Sequence, residues 1–127
     1  MDHYQSRNNI AEERHFRVGM TGASTSTPTT RAGHGVTLAR QNTGIVRISF
    51  NDNPGTFVGI FGPTFRADTP SGVKGYSFSA GAYVAPSGST KGYIDVYFWD
   101  ASNNAVDLTS VQYIDLTVTF SAKKTLT

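Results

Sequence analysis

Apolar and polar positions alternate with a period of two along most of this chain, the signature of strands buried on one face. The pattern is longest from Gly33 to Phe50. Val36 and Leu38 share one parity, Val46, Ile48 and Phe50 share another, and polar or basic residues fill the positions between. Asn42-Thr43-Gly44 lies between the halves and supplies residues suited to a tight turn, so the segment predicts a hairpin. Tyr93 to Trp99 is the cleanest strand, with Ile94, Val96 and Phe98 on one face and Tyr93, Asp95, Tyr97 and Trp99 on the other. Tyr113 to Phe120 repeats it, with Ile114, Leu116, Val118 and Phe120 inward, and residues 14–20 begin the series with Phe16, Val18 and Met20.

Other segments are less regular. Thr56 to Phe61 is nearly continuously apolar, which predicts a strand buried on both faces. Val73 to Val84 reads as extended, and Asp107 to Val111 is ambiguous. Turn and loop signals separate these runs: the small-residue stretch 21–32, Asn51-Asp52-Asn53-Pro54-Gly55, Gly62 to Gly72, Pro86 to Gly92, and Asp100-Ala101-Ser102-Asn103-Asn104. About seven to eight strands at such spacing predict an all-β fold, an antiparallel β-sandwich of jelly-roll or Ig-like type. Residues 1–13 are polar and lack the alternation, although Ile10 to Arg14 has room for one helical turn. The expected organisation is an extended N-terminal arm (1–13), a sandwich domain (14–121) and a polar C-terminal tail (122–127).

Composition agrees with strands and turns: Thr, Ser and Gly are abundant and Glu is rare. The length of 127 residues suits one domain that needs no staples, and the chain has no Cys, hence no disulfide framework or thiolate metal site. That fits folding in a reducing cytoplasm. Eleven Lys and Arg against nine Asp and Glu give a net charge of +2. The basic residues are scattered, and only Arg14 with Arg17 and Lys123 with Lys124 approach a cluster, so nucleic acid is not expected as a partner. No apolar run is long enough for a membrane helix, and the first residues lack the apolar core of a signal peptide. The chain opens with Met and ends in a polar tail, which reads as a complete cytoplasmic product.

No arrangement of residues specifies catalysis. His3, His15 and His34 have no partner at a metal-ligand spacing. Asp100, Asn103, Asn104 and Asp107 offer oxygens to calcium, but the segment lacks the glycine and closing glutamate of an EF-hand loop, and a plain Asx turn explains it equally. There is no Cys, and no Ser lies in a nucleophile elbow; Ser77, Ser79 and Thr37 fall on strand positions. Asp95 and Asp115 share a parity on two polar faces, which leaves open a facing carboxylate pair or pairing of each with Arg on a neighbouring strand. Gly33-x-Gly35 lacks the helix start of a phosphate loop. The chain is therefore expected to be no enzyme and to hold no cofactor or metal. The stronger signal is aromatic. Tyr93, Tyr97 and Trp99 line the side of their strand away from the core, and Tyr113 is placed to join them from another strand. Such a row serves cross-strand packing, an oligomer interface or a sugar-stacking platform.

The pattern Gly33-x-Gly35-x-x-x-x-Arg40-x-x-Thr43-Gly44-x-x-Arg47-x-x-Phe50 resembles a motif of small all-β virion proteins of tailed bacteriophages. Asn53-Pro54-Gly55-Thr56-Phe57-Val58 is similar to its continuation, and the likeness extends over residues 14 to 120. The resemblance implies a non-enzymatic capsid decoration or cement protein, made in the host bacterial cytoplasm and carried in the virion. Such proteins commonly trimerise over junctions between major capsid proteins. On this reading the partners are the chain itself, as a homotrimer, and the major capsid protein. Tyr4, Arg7, Ile10, Arg14 and Phe16 of the arm are the expected capsid contacts, and Tyr93, Tyr97, Trp99 and Tyr113 the expected self-association surface. The alternative is a carbohydrate- or receptor-binding module of a tail or baseplate that uses the same aromatics for stacking.

Overall fold

The computed structural model describes residues 13–22, 28, 30–66, 75–107 and 113–121. They form eight strands: β1 (Glu13–Met20), β2 (Thr30–Ala32), β3 (Val36–Asn42), β4 (Ile45–Phe50), β5 (Thr56–Arg66), β6 (Ser77–Ala80), β7 (Tyr93–Trp99) and β8 (Tyr113–Ser121). Two four-stranded antiparallel sheets result, with orders β2-β1-β8-β5 and β3-β4-β7-β6. The all-β antiparallel sandwich read from the alternation is the observed architecture. The first and last strands, β1 and β8, lie side by side, whereas the immunoglobulin order puts them in different sheets.

Alternation builds the core directly. Val18 and Met20 of β1 and Ile114, Leu116, Val118 and Phe120 of β8 face Leu38, Val46, Ile48, Phe50, Ile94, Val96 and Phe98 of the other sheet, all buried. At one end the rings interlock. Phe120 meets Phe16, Phe50, Phe57 and Tyr83 with centroid distances of 4.9–5.8 Å and near-perpendicular planes, the edge-to-face geometry that ring quadrupoles favour.

Three expectations change. β1 begins at Glu13, one residue before the expected start at Arg14, and Phe16 packs edge-on against Phe50 and Phe120. Phe16, expected among the capsid contacts of the arm, is partly buried and packs against the core. Second, β5 is not buried on both faces. It is an edge strand whose register slips between Phe57 and Gly59 and again between Phe61 and Thr64. Each irregularity changes which side chains point inward. Phe57 and Ile60, three residues apart, both pack on the core, while Val58 and Phe61 are 50% and 59% exposed. The strand also runs on to Arg66, through residues expected to be loop, because Pro63 on an edge strand costs no ladder hydrogen bond. Third, the extended run expected from Val73 to Val84 holds a short β6 followed by a loop tied back to β7 by the Gly81 amide on the Asp95 carbonyl and by the Val84–Tyr93 bridge. Tyr4, Arg7 and Ile10 lie outside the described residues.

Candidate functional site

The hairpin motif is occupied with holding the fold. Gly44 takes a φ of 72° at the end of the β3–β4 turn. Its amide donates to Asp107 Oδ1 at 2.9 Å, and its carbonyl accepts the Phe98 amide at 2.8 Å. Arg40 grips the same carboxylate with two bonds, Nε to Oδ1 at 3.1 Å and Nη2 to Oδ2 at 2.9 Å, and reaches the Thr43 hydroxyl at 3.3 Å. Arg40-x-x-Thr43-Gly44 is thus a clasp for Asp107, 63 residues downstream of Gly44. Gly33 passes so close to β1 that a side chain would meet the Arg17 carbonyl. Arg47 pairs with Asp95 across β4 and β7, and Phe50 is core.

The clasp has a pH signature. Burial raises the Asp107 pKa, but the Arg40 hydrogen bonds and charge and the Gly44 amide outweigh it and hold the carboxyl below its ordinary value of 3.8. Asp115 is also lowered, first by its hydrogen bond from Arg17. A carboxyl depressed on folding stabilises the native state fully above the unfolded value and loses that contribution as pH falls through the folded one. The urea midpoint of the wild-type protein should therefore hold near neutrality and drop below about pH 4. Asp107→Asn should start lower at neutral pH and show a shallower acid fall. An identical acid slope in the two proteins would remove Asp107 from this role.

The other candidates separate cleanly. Asp95 and Asp115 lie on the outer faces of opposite sheets, each bonded by an arginine of the adjacent strand: Arg47 at 2.9 and 3.1 Å, and Arg17 at 2.6–3.2 Å. A facing carboxylate pair is ruled out, and cross-strand pairing is what the residues do. In the Asp100 turn, Oδ1 accepts the amides of Ser102 at 2.8 Å and Asn104 at 3.0 Å, while Asp107 is turned to Arg40. This is an Asx turn. Asn51 likewise accepts from Thr37 and Lys91. His34 is exposed between its glycines, and His15 contacts Thr119 and Glu13 on the outer face of β1.

The aromatic row divides. Tyr93 lies under the Arg47 guanidinium, 3.8 Å from its ring centroid. Tyr113 does not join the row, because β8 belongs to the other sheet. There Arg66 of β5 covers its ring at 3.8 Å. What is left together is Tyr97 and Trp99, 6.3 Å apart and tilted by 36°. They floor a half-open depression of 320 Å³ with Gly44, Ile45, Ser79, Ala80 and Ala105. Register explains the grouping: Tyr97 stands opposite Ile45 on one side and Ser79 on the other. Small residues flank the rings and leave the hollow. The indole Nε1 donates to Ser79 Oγ at 2.8 Å, fixing the ring. The sheet face is thus ionic at the Arg47–Asp95 end and apolar at the Trp99 end. The sequence reading missed Phe61, whose exposure depends on a register slip, and Asp107's partnership with Arg40, which spans 67 residues.

No family model, no curated protein and no solved structure matches this chain.

Proposed function

We propose that this protein is a non-enzymatic structural component of a tailed-phage virion, a cement protein that self-associates, as a trimer, and stabilises the head by bridging major capsid proteins. The observation that carries the reading is the apolar hollow of Tyr97 and Trp99 on the outer face of a sheet that is otherwise polar or ion-paired. Half-buried aromatics lining an apolar hollow among satisfied polar groups are the composition of a protein interface. The resemblance of the Gly33–Phe50 hairpin supports the virion setting, and a rigid scaffold whose Asp95, Asp107 and Asp115 are all bound by arginine suits a load-bearing role. The self-association surface narrows from four aromatics to Tyr97 and Trp99. Capsid contact falls to residues 1–13 with Arg14, and a threefold assembly multiplies weak contacts of this kind into strong attachment.

Light scattering gives the first test. Wild-type protein should have the mass of a trimer, and Tyr97→Ala with Trp99→Ala should shift it toward the monomer with the fold intact. An unchanged mass removes this surface from self-association. Antibody labelling of virions by electron microscopy tests location. Label on heads is the expected result, label on tails moves the protein to the baseplate, and unlabelled particles overturn the proposal. The tilted Tyr97–Trp99 pair also favours a second reading as a glycan platform. Capture on a glycan array that is lost with Trp99→Ala would establish it.

A further inference from the structure

Resting on the proposed self-association, we infer that its contact is heterologous: Phe61 of one copy enters the Tyr97–Trp99 hollow of the next. The hollow is lined almost wholly by carbon. The Ser79 hydroxyl already accepts the Trp99 indole N–H. A ligand recognised through many hydrogen bonds finds few partners there, whereas an aromatic ring fits both the lining and the 320 Å³ of space.

Phe61 has the matching properties. It pairs with Thr117 on the outer face of the β2-β1-β8-β5 sheet and is 59% exposed, the most exposed large apolar side chain among the described residues. It makes no ring contact among the described residues, and the position beside Gly59 on the same strand is open among them. It projects from the outer face of one sheet, while the hollow opens on the outer face of the other, so the ring cannot fill its own chain's hollow. Charge supports the match. Arg66, further along β5, stacks on Tyr113 and has no carboxylate partner among the described residues. Asp100, next to Trp99, takes two backbone amides and has no cation partner among them. Arg66 on the projecting side and Asp100 beside the hollow carry opposite charges, which favours one relative orientation.

The consequence concerns symmetry. A twofold contact would set hollow against hollow, whereas a ring-into-hollow contact joins two different surfaces and closes into a ring when its rotation allows. The experiment uses two full-length variants, Phe61→Ala, which keeps the hollow, and Ala105→Glu, which blocks it. Ser79→Arg replaces the second if Ala105→Glu does not fold by circular dichroism. Each variant alone should be monomeric, with self-association weakened about thirtyfold or more, as for an interface hot spot. An equimolar mixture should form a one-to-one dimer and nothing larger, because one ring and one hollow remain. A mixture that stays monomeric, or a Phe61→Ala protein with the wild-type mass, overturns the inference while leaving the self-association reading standing. A monomeric wild-type protein overturns both, and glycan capture by such a monomer would assign the hollow to a sugar.

Discussion

Phe120→Ala should lower the unfolding free energy by about 4 kcal/mol, the usual cost of removing a fully buried phenylalanine. Phe120 is wholly inaccessible, and four rings meet it: Phe16, Phe50, Phe57 and Tyr83. These four come from β1, β4, β5 and the loop before β7, so the cavity would loosen both sheets and the connection between them. Phe61→Ala is the matched control. The same atoms are deleted from a side chain that is 59% exposed, and stability should stay within about 0.5 kcal/mol of wild type. Urea unfolding of both variants in the Ala105→Glu background, where no copy associates and oligomer linkage drops out, decides the point. Comparable losses would mean that Phe61 is packed, and the interface inference would fall with that result.

Gly44→Ala should cost about 2–4 kcal/mol. A left-handed residue with a side chain costs about 1–2 kcal/mol. Here the new methyl would also stand 2.7 Å from the Val106 amide nitrogen and 2.8 Å from the Phe98 carbonyl. Those backbone groups cannot move without breaking the Gly44–Phe98 and Val106–Phe98 hydrogen bonds. Gly88→Ala separates the two contributions. Gly88 has a φ of 59° with open space around it, so its substitution should show the conformational cost alone. If both variants lose the same stability, the clasp around Gly44 does not have the rigidity assigned to it. The Gly44 variant should also weaken self-association, since Gly44 and Ile45 form one wall of the hollow.

These two sites show how one hairpin serves both stability and the surface. Arg40, Thr43 and Gly44 fasten Asp107. That connection brings Ala105 back beside Trp99, where the two form a bridge. Without it the Trp99 end of the hollow would lack its second wall.

Local pattern was enough for the strands. A period of two leaves one consistent set of inward residues, so β1, β4, β7 and β8, and with them most of the core, were legible from Val18, Ile48, Val96 and Leu116 alone. The hairpin turn was legible for the same reason, since Asn42-Thr43-Gly44 carries its geometry in adjacent residues. Partners distant along the chain were not. Asp95 and Asp115 have the same parity in similar strands, and nothing local tells that β7 and β8 enter different sheets and turn their carboxylates to opposite outer faces. Tyr113 was separated from Tyr97 and Trp99 by the same assignment. Phe61 is exposed because the register slip between Phe57 and Gly59 breaks the alternation, and a slip is set by the neighbouring strand. Side-chain parity is a property of each strand, whereas sheet membership and register are properties of pairs of strands. The identity of the core therefore lay in the order of the residues, and the hollow, the clasp and the projecting ring arose when the strands chose their neighbours.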